Sequence, residues 1–581
     1  MADPSALLAE RFSAAIASAF GADLAGTDPL IRRSQQAQHG DYQANVAMSL
    51  AKRLGRTPRE VAAEVVDHLR IDDLCETVEI AGPGFVNLTL RPGAITTLLT
   101  VAVADERAGV PVSAHVQRVV VDYSSPNVAK EMHVGHLRST VIGDALVRVL
   151  SFQGHDVVRQ NHLGDWGTQF GMLIEFLADE GWDRQADHTI SDLNELYQQA
   201  QTRFAADEPF TDRARRRVVA LQGGDAETLS LWRQLVAESI RHMEEVYERL
   251  GVLLEPGDIR GESFYNPMLT GVVSELEAKG LTVVDDGALC IFPPGFTRRD
   301  GEPLPMIVRK RDGGFGYDAT DLAGIRYRVT DLEGDRIIYV VDARQSQHFA
   351  MVFTVARMAG WLGEQARAEH VAFGTILGED GKPFKTRSGG TVRLIDLLEE
   401  AETRAAAVVE ERSELSAGER AEVARAVGVG AVKYADLAND RVKDYVFAWD
   451  RMLSMDGNTA PYLQYAQARI QSIFRRVEGD GGPAPVFSVT AVAHPAERAL
   501  ALQALSLPAV IEAVGESLQP HRLCTYLFEL AQAFTTFYEQ CPVLRADTAE
   551  QRADRLGLCS LTASILQLGL GLLGIEAPER M

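Results

Sequence analysis

The sequence of 581 residues predicts an α/β protein in three parts: a small α+β unit over 1–110, a central α/β sheet over 111–395, and an all-helical region over 396–581. Three observations predict this. Val119-Val120-Val121, followed by Tyr123, has the unbroken apolar character of a strand buried on both faces. From there to about 395, segments of helix and strand period alternate, as in a sheet covered by helices. Beyond 396 only helical periodicity continues. At roughly 150 residues per domain, the length allows three or four domains.

The elements follow in order. Leu7, Leu8, Phe12, Ile16 and Phe20 form one helical stripe, and 41–53 and 58–69 read as two more helices. Strands at 76–80 and 84–90 flank Ala81-Gly82-Pro83, Arg91-Pro92-Gly93 stops the second, and a helix covers 94–107. Pro111 opens a linker into the central part. There, helices are predicted at 137–153, 167–180, 190–205 and 226–251, and strands at 156–161, 281–285, 306–310, 337–341 and 371–374. The stretch from about 175 to 260 is an insertion. The tail reads as helices over 399–427, 429–452, 461–477, 495–515, 519–540 and 544–556, with a last apolar core helix near 556–575. A glycine-rich break, Gly479 to Pro483, divides them.

Composition bounds the function. Hydrophobic residues at 46% and charged residues at 24% describe a folded chain rather than a disordered one. The 58 Lys+Arg against 81 Asp+Glu leave a net charge of -23, which excludes an indiscriminate nucleic-acid coater but leaves room for a local basic face. Five scattered cysteines, with no CxxC pair, predict no structural zinc, no disulfide framework and a reducing, cytoplasmic compartment. The first residues lack the basic head and apolar core of a secretory signal, and no continuous apolar run of 18 or more occurs, so a soluble protein away from membranes is expected.

The sharpest pattern starts after the apolar strand and runs from Ser124-Ser125-Pro126-Asn127 through Ala129-Lys130 to His133-Val134-Gly135-His136-Leu137-Arg138. Strand, loop and helix start make an anion site, because free N–H groups and the helix dipole favour phosphate there. Gly135 lets the backbone approach a ligand closely. Two imidazoles three residues apart can converge on one phosphate or ribose and donate hydrogen bonds as negative charge develops. The competing readings are helix capping and half of a metal site; no third ligand is fixed nearby by spacing, so no metal is expected. Neither GxxxxGK[ST] nor GxGxxG is present at this turn.

His133-Val134-Gly135-His136 resembles the HIGH signature of class I aminoacyl-tRNA synthetases, and the run Ser125–Thr140 resembles the arginyl-tRNA synthetases in particular. The resemblance implies a Rossmann-like nucleotide-binding core, an N-terminal tRNA-contacting domain and a helical anticodon-binding bundle. It also implies that His133, Gly135, His136 and Arg138 bind ATP and that Asn127 touches the amino acid. The counterpart of the second class I element is Gly381-Lys382-Pro383-Phe384-Lys385-Thr386-Arg387-Ser388-Gly389-Gly390, a Gly-flanked loop with three cations able to offset charge on departing pyrophosphate. Its departure from KMSKS leaves open whether Lys382 or Lys385 takes the catalytic part, and Lys130, just before the signature, matches a lysine thought to compensate in some relatives.

An arginine substrate is a planar fork of five donors, which calls for carboxylates and an aromatic face. Tyr317 and Asp321, four residues apart at a predicted helix start, offer both. The resemblance assigns the guanidinium to them, adds Glu262 as a further acidic contact and Gln345 as a substrate holder, and puts His348 toward ATP or the lysine loop. His162 to Gly171 also resembles the family, with Trp166 and Gln169 as structural support of the pocket.

Between 441 and 476 there are six Lys/Arg and three Asp/Glu, against the acidic average of the chain. A basic helix face bearing aromatics suits backbone contacts and stacking on unpaired bases. By resemblance, Tyr462, Tyr465 and Arg469 belong to the anticodon-binding bundle and the terminal Met581 packs near the anticodon. Phe85 and Asn87, with Gln43 more remote, match the N-terminal contact with the outer corner of tRNA; some relatives carry Tyr at the place of Phe85, whose hydroxyl contact would be lost here.

The implied activity is ATP-dependent formation of arginyl-adenylate and transfer to tRNA(Arg), with Mg²⁺ carried by ATP, tRNA bound before activation, and a monomeric enzyme. The alternatives are a class I synthetase for another amino acid or a non-catalytic synthetase-like tRNA-binding protein. A glutamate pocket should be cationic, unlike Tyr317, Asp321 and Glu262.

Overall fold

A computed structural model of the chain describes residues 3–34, 36–180, 190–385, 392–410, 415–479 and 487–581. They fall into two compact units, Ser113–Leu453 with Leu572–Ile575, and Met1–Val112 with Ser454–Gly571 and Glu576–Met581.

The second of these, the terminal unit, contains an antiparallel sheet of β1 (Ile31–Arg33), β2 (Tyr42–Ala44), β3 (Cys75–Ala81) and β4 (Phe85–Leu90) in the order β1-β2-β4-β3. The stripe Leu8, Phe12 and Ile16 is buried, as are Val61, Ala62 and Val65 of the helix Pro58–His68. The segment 41–53, expected to be one helix, is instead β2 followed by the helix Val46–Leu54. Tyr42 and Ala44 are buried opposite Leu88 and Val86, so alternation was the operative period there. The C-terminal helices join this sheet within one unit. Arg498 donates to Asp41 at 2.6 Å and to the Leu90 carbonyl at 2.8 Å, and Arg33 donates to Gln503. Expected helices at 544–556 and 556–575 form one, Ala549–Leu572. This stretch and Pro495–Ser517 are long and apolar enough to cross a membrane, but both are mostly buried, as core helices are. The break at 480–483 lies outside the described residues.

The sheet unit is built on four parallel strands. Beyond β5 (Arg118–Asp122) and β6 (Asp156–Gln160), the chain adds a small antiparallel sheet of β7 (Val283–Asp285), β8 (Ala288–Ile291) and β9 (Met306–Arg309). It then returns with β10 (Arg336–Tyr339) and β11 (Arg367–His370), giving the order β11-β10-β5-β6. Val119, Val120, Val121, Ile337 and Ile338 are fully buried, as their unbroken apolar character requires. A strand expected at 371–374 is displaced to 367–370, with Val371 donating to the Tyr339 carbonyl just past the ladder. The short pair β12 (Ile376–Leu377) and β13 (Tyr445–Val446) lies further on.

The insertion contains the helices Thr168–Asp179, Ile190–Ala206, Glu208–Gln222 and Ala226–Leu250. Glu208–Gln222 was not expected, because only Phe210, Ala214 and Leu221 of its arginine-rich run are buried. Where tail helices were expected at 399–427 and 429–452, the chain has Leu394–Glu410 and Ala417–Leu437, then β13 and the short helix Trp449–Met452, all in the sheet unit. Gly428 faces the Ala401 backbone with no room for a side chain, and Asp436 pairs with Arg138. Periodicity reports an apolar face but not what covers it. Residues 411–414 of the expected helix 399–427 lie outside the described residues.

Candidate active site

The strand order places the site. β5 is central; the chain leaves it for β6 on one side and comes back to β10 on the other. The crevice at the carboxyl ends of β5 and β10 is therefore a topological switch point, where the connecting loops part and a ligand can enter.

The loop after β5 is held under strain. Ser124, Ser125 and Ala129 have φ of 72°, 49° and 61°, left-handed values that cost a non-glycine residue free energy unless the surroundings enforce them. Buried polar groups do so. Ser124 N–H donates to Ser139 Oγ at 2.9 Å and Ser125 N–H to Asn161 Oδ1 at 3.0 Å. Ala129 N–H donates to Ser239 Oγ at 3.0 Å, and Tyr247 Oη lies 2.8 Å from Ser124 Oγ while accepting from Asn161 Nδ2 at 3.0 Å. Asn127 is exposed and sits in a bridge with Gly164, where a side chain would collide with its amide oxygen.

The helix Val134–Phe152 starts at His133. His133 Nδ1 accepts from Gly135 N–H at 3.0 Å, and His136 Nδ1 accepts from His133 N–H at 3.1 Å. Both rings thus cap the helix through Nδ1, which in the neutral tautomer leaves each Nε2–H as a free donor. Burial, then Lys130, lowers the His133 pKa; burial, then His133, lowers that of His136 to about 3. Both rings are neutral donors at pH 7, with centroids 4.0 Å apart. Capping and ligand donation use different ring nitrogens and coexist.

Arg138 is corrected by the structure. It is 1% exposed, lies 3.2 Å from the Asp436 carboxylate and donates to the Lys443 carbonyl at 3.1 Å, so it anchors the helix rather than reaching a nucleotide. Lys130 is half-buried, its ammonium 4.9 Å from the centre of the Tyr197 ring. Lys382 and Lys385 are both exposed, with Lys382 in a turn closed by Gly378 N–H donating to its carbonyl at 2.8 Å. Residues 386–390 of that loop lie outside the described residues. The chain re-enters beside the signature, where Val134 N–H donates to the Val392 carbonyl and Leu394 N–H to that of Met132.

Across the crevice, Tyr317 opens the helix Tyr317–Thr330 and is 68% exposed. His348 Nε2 lies 2.6 Å from Asp321 Oδ2, and its Nδ1 lies 3.6 Å from Asp318. His348 therefore belongs to the acidic pocket, against the expectation that it faces ATP or the lysine loop; its ring is 5.3 Å from that of Tyr317. Burial opposes its charge, but the hydrogen bond and charge of Asp321 outweigh that and raise its pKa. Burial, then Asp165 and Asp321, pushes Glu262 up to about 7. Such a site is short of one cation. Gln345 is exposed in the turn Ala343–Gln345 after β10.

With a neutral pair of imidazole donors at the signature turn and a pocket of carboxylates beside Tyr317, the chain can be set against known families. Residues 98–449 match the model of tRNA synthetases class I (R), catalytic domain; residues 6–90 match the arginyl tRNA synthetase N terminal domain; residues 463–581 match the DALR anticodon binding domain. An arginine--tRNA ligase of Thermobifida fusca is 56% identical over the whole of both chains, and one of Synechococcus elongatus is 52% identical over the same span. The chain belongs to the arginine--tRNA ligases. The fold agrees: the arginyl-tRNA synthetase of Plasmodium falciparum superposes with a TM-score of 0.85 at 30% identity over 99% of each chain, and that of Thermus thermophilus with 0.84 at 26% over all of both. The protein is accordingly a class I synthetase and an enzyme.

In the terminal unit of this synthetase, Tyr465 is 44% exposed, Tyr462 is half-buried against Phe528, and the Arg469 guanidinium stacks 4.4 Å over Tyr538. Met581 is half-buried, and the segment before it is tied by Arg475 donating to the Glu579 carbonyl at 3.0 Å. Phe85 is half-buried at the start of β4. Asn87 is 6% exposed and accepts from Gln43 Nε2 at 2.8 Å, so as the structure stands it braces the sheet rather than facing outward, a correction to its expected role.

Sequence reading missed Asn161, Asp165, Ser239 and Tyr247, which hold the site from behind. Only Asp165 had a signal, its place in the glycine-rich run after β6; the two in the helix Ala226–Leu250 read as ordinary positions of a core helix.

Proposed function

We propose that this arginine--tRNA ligase activates L-arginine with ATP in the crevice between β5 and β10, and there transfers it to the terminal adenosine of tRNA(Arg). The arginine carboxylate attacks the α-phosphorus; the bond to pyrophosphate breaks and its electron pair leaves with that group. A ribose hydroxyl then attacks the adenylate carbonyl and releases AMP. The reaction asks for positioning and charge stabilisation more than proton transfer. His133 and His136 donate through Nε2 to the phosphates, Gly135 lets the nucleotide approach, and Lys130 with Lys382 or Lys385 offsets the pyrophosphate charge. Tyr317, Asp321 and Glu262 take the guanidinium, while Asn127 and Gln345 hold the amino-acid end. His348, bonded to Asp321, orients the pocket.

Magnesium would arrive on the triphosphate. Mg²⁺ characteristically keeps several waters and binds through substrate phosphates, so the residues that face the triphosphate in this reading would meet it through the nucleotide. Phe85, Tyr462, Tyr465, Arg469 and Met581 are the tRNA contacts in this reading, and tRNA binding precedes activation. A monomer in the cytoplasm, away from membranes, completes it; five free, buried cysteines suit a reducing compartment.

The observation that carries the reading is the pair of imidazoles fixed through Nδ1. The test is arginine-dependent ATP–pyrophosphate exchange in the presence of tRNA(Arg). H133A and H136A should each lower kcat by about 10²–10³, the worth of a positioned donor to developing negative charge. Wild-type rates in either variant, with unchanged melting, would remove the histidines from the chemistry.

A further inference from the structure

Behind the acidic pocket lies a carboxylate that the reaction does not use. Asp165 is 5% exposed, in the glycine-rich turn after β6. Its Oδ1 accepts from Ser263 N–H at 2.8 Å and its Oδ2 from Ser263 Oγ at 2.6 Å. On the other flank of Glu262, Gly261 lies so close that any side chain there would collide with the same carboxylate. Glu262 N–H donates to the Leu163 carbonyl at 3.0 Å, and the Trp166 backbone hydrogen-bonds the Glu262 carboxyl. The turn 261–263 is thus gripped from 163–166 at every residue. Asp165 is itself fixed, its carbonyl accepting from Trp232 Nε1 at 2.8 Å.

We infer that Asp165 is a positioning residue for arginine recognition, its buried carboxylate clamping the Gly261–Ser263 turn so that Glu262 is presented to the guanidinium with a negative charge behind it. This rests on the assignment of Glu262 to the substrate made above. Burial raises the Asp165 pKa and the two hydrogen bonds from Ser263 work against that rise; in its charged form the carboxylate repels its neighbour Glu262. The charged and titratable groups facing Glu262 are Asp165 on the loop after β6 and Asp321 on the helix Tyr317–Thr330, with His348 on Asp321 and His162 near Asp165. Without arginine, Glu262 holds its proton to about pH 7; the guanidinium replaces that proton. Binding of arginine is therefore coupled to proton release and strengthens as pH rises through 7.

Asp165→Asn tests charge apart from shape. The amide keeps one acceptor for Ser263 N–H and can donate to Ser263 Oγ, preserving the turn, while the charge disappears. Asp165→Ala removes the clamp. The readouts are KM for arginine and KM for ATP in charging assays with saturating tRNA from pH 6 to 8, on the full-length enzyme, with melting curves for every variant. In wild type, a group titrating at about 7 makes the arginine KM about tenfold higher at pH 6 than at pH 8. D165N should reduce that ratio to about threefold or less by releasing Glu262 to a lower pKa. D165A should raise the arginine KM at pH 8 by about tenfold or more, the cost of leaving the substrate charge poorly paired, with the ATP KM moving less than about twofold. A D165N profile identical to wild type, or parallel loss of arginine and ATP binding in D165A, overturns the inference. Glu262→Gln separates the two levels. If E262Q leaves the arginine KM unchanged, the assignment of Glu262 itself fails; if E262Q raises it while the Asp165 variants do not, only the positioning role fails.

Discussion

The loop Ser124–His136 and the helix Ala460–Gly479 both carry residues assigned to ligand contact, and they are built in opposite ways. The loop holds three left-handed non-glycine residues, pinned by N–H groups that donate to Ser139, Asn161 and Ser239 and by the Ser124–Tyr247 hydroxyl pair. The helix is regular and simply presents Tyr465 to solvent. Stabilising a developing charge requires donors fixed to a fraction of an ångström before the reaction, so buried polar groups and strained backbone are retained there. Stacking on a base tolerates sliding and needs only an exposed ring on a firm support.

The largest effect should come from removing the deepest anchor of the loop's helix. Arg138→Ala leaves Asp436 buried without its partner and should cost about 3–5 kcal/mol in urea unfolding, the usual consequence of breaking a buried pair. A loss under about 1 kcal/mol would show that the interior solvates Asp436 by other means. Next comes Tyr247→Phe, which removes one hydroxyl from two hydrogen bonds behind the loop. It should destabilise by about 1–3 kcal/mol and slow adenylate formation without changing tRNA affinity. Tyr465→Ala is the mirror image. Binding to tRNA(Arg) should weaken by about tenfold while melting and tRNA-saturated exchange remain as in wild type. A large drop in melting temperature would instead make Tyr465 a packing residue and erase the contrast.

The smallest effect is a pH dependence of stability, opposite in sign at the acidic pocket and at the signature turn. The His348 pKa is raised in the folded protein, so its contribution to stability is complete below the unfolded value near 6.5 and is lost as pH rises through the folded one. His348→Gln should therefore lose more stability at pH 5.5 than at pH 8.5. His136 has the opposite sign: its lowered pKa gives a contribution present above about 6.5 and lost as pH falls toward about 3. Denaturant midpoints for His348→Gln and His136→Ala across pH 4–9 would display both slopes, and parallel profiles would contradict the assigned environments.

The site was legible where chemistry depends on local spacing. The two histidines flanking Gly135 at a helix start, and Tyr317 with Asp321 on one turn, occupy neighbouring chain positions, so the pattern itself brings them together. Arg138 and His348 were misread for a shared reason. Each is a charged or polar side chain next to a motif, and its partner is distant in sequence: Asp436 for Arg138, 298 residues on, and Asp321 on a separate helix for His348. Asn87 was misread similarly, because its brace, Gln43, is on another strand.

By itself the amino-acid sequence determined the central β5 strand, most of the strongly periodic helices, the signature turn and residue types suited to a guanidinium and a triphosphate, since period, capping and donor chemistry are properties of short segments. Tertiary structure alone decided the rest. It placed the helices Leu394–Glu410 and Ala417–Leu437 in the sheet unit, put β2 where a helix was expected, and set Asp165 behind Glu262. The physical reason is common to all three. An apolar face or a buried carboxylate specifies that it must be covered or paired, but its partner is chosen by the packing of the whole unit.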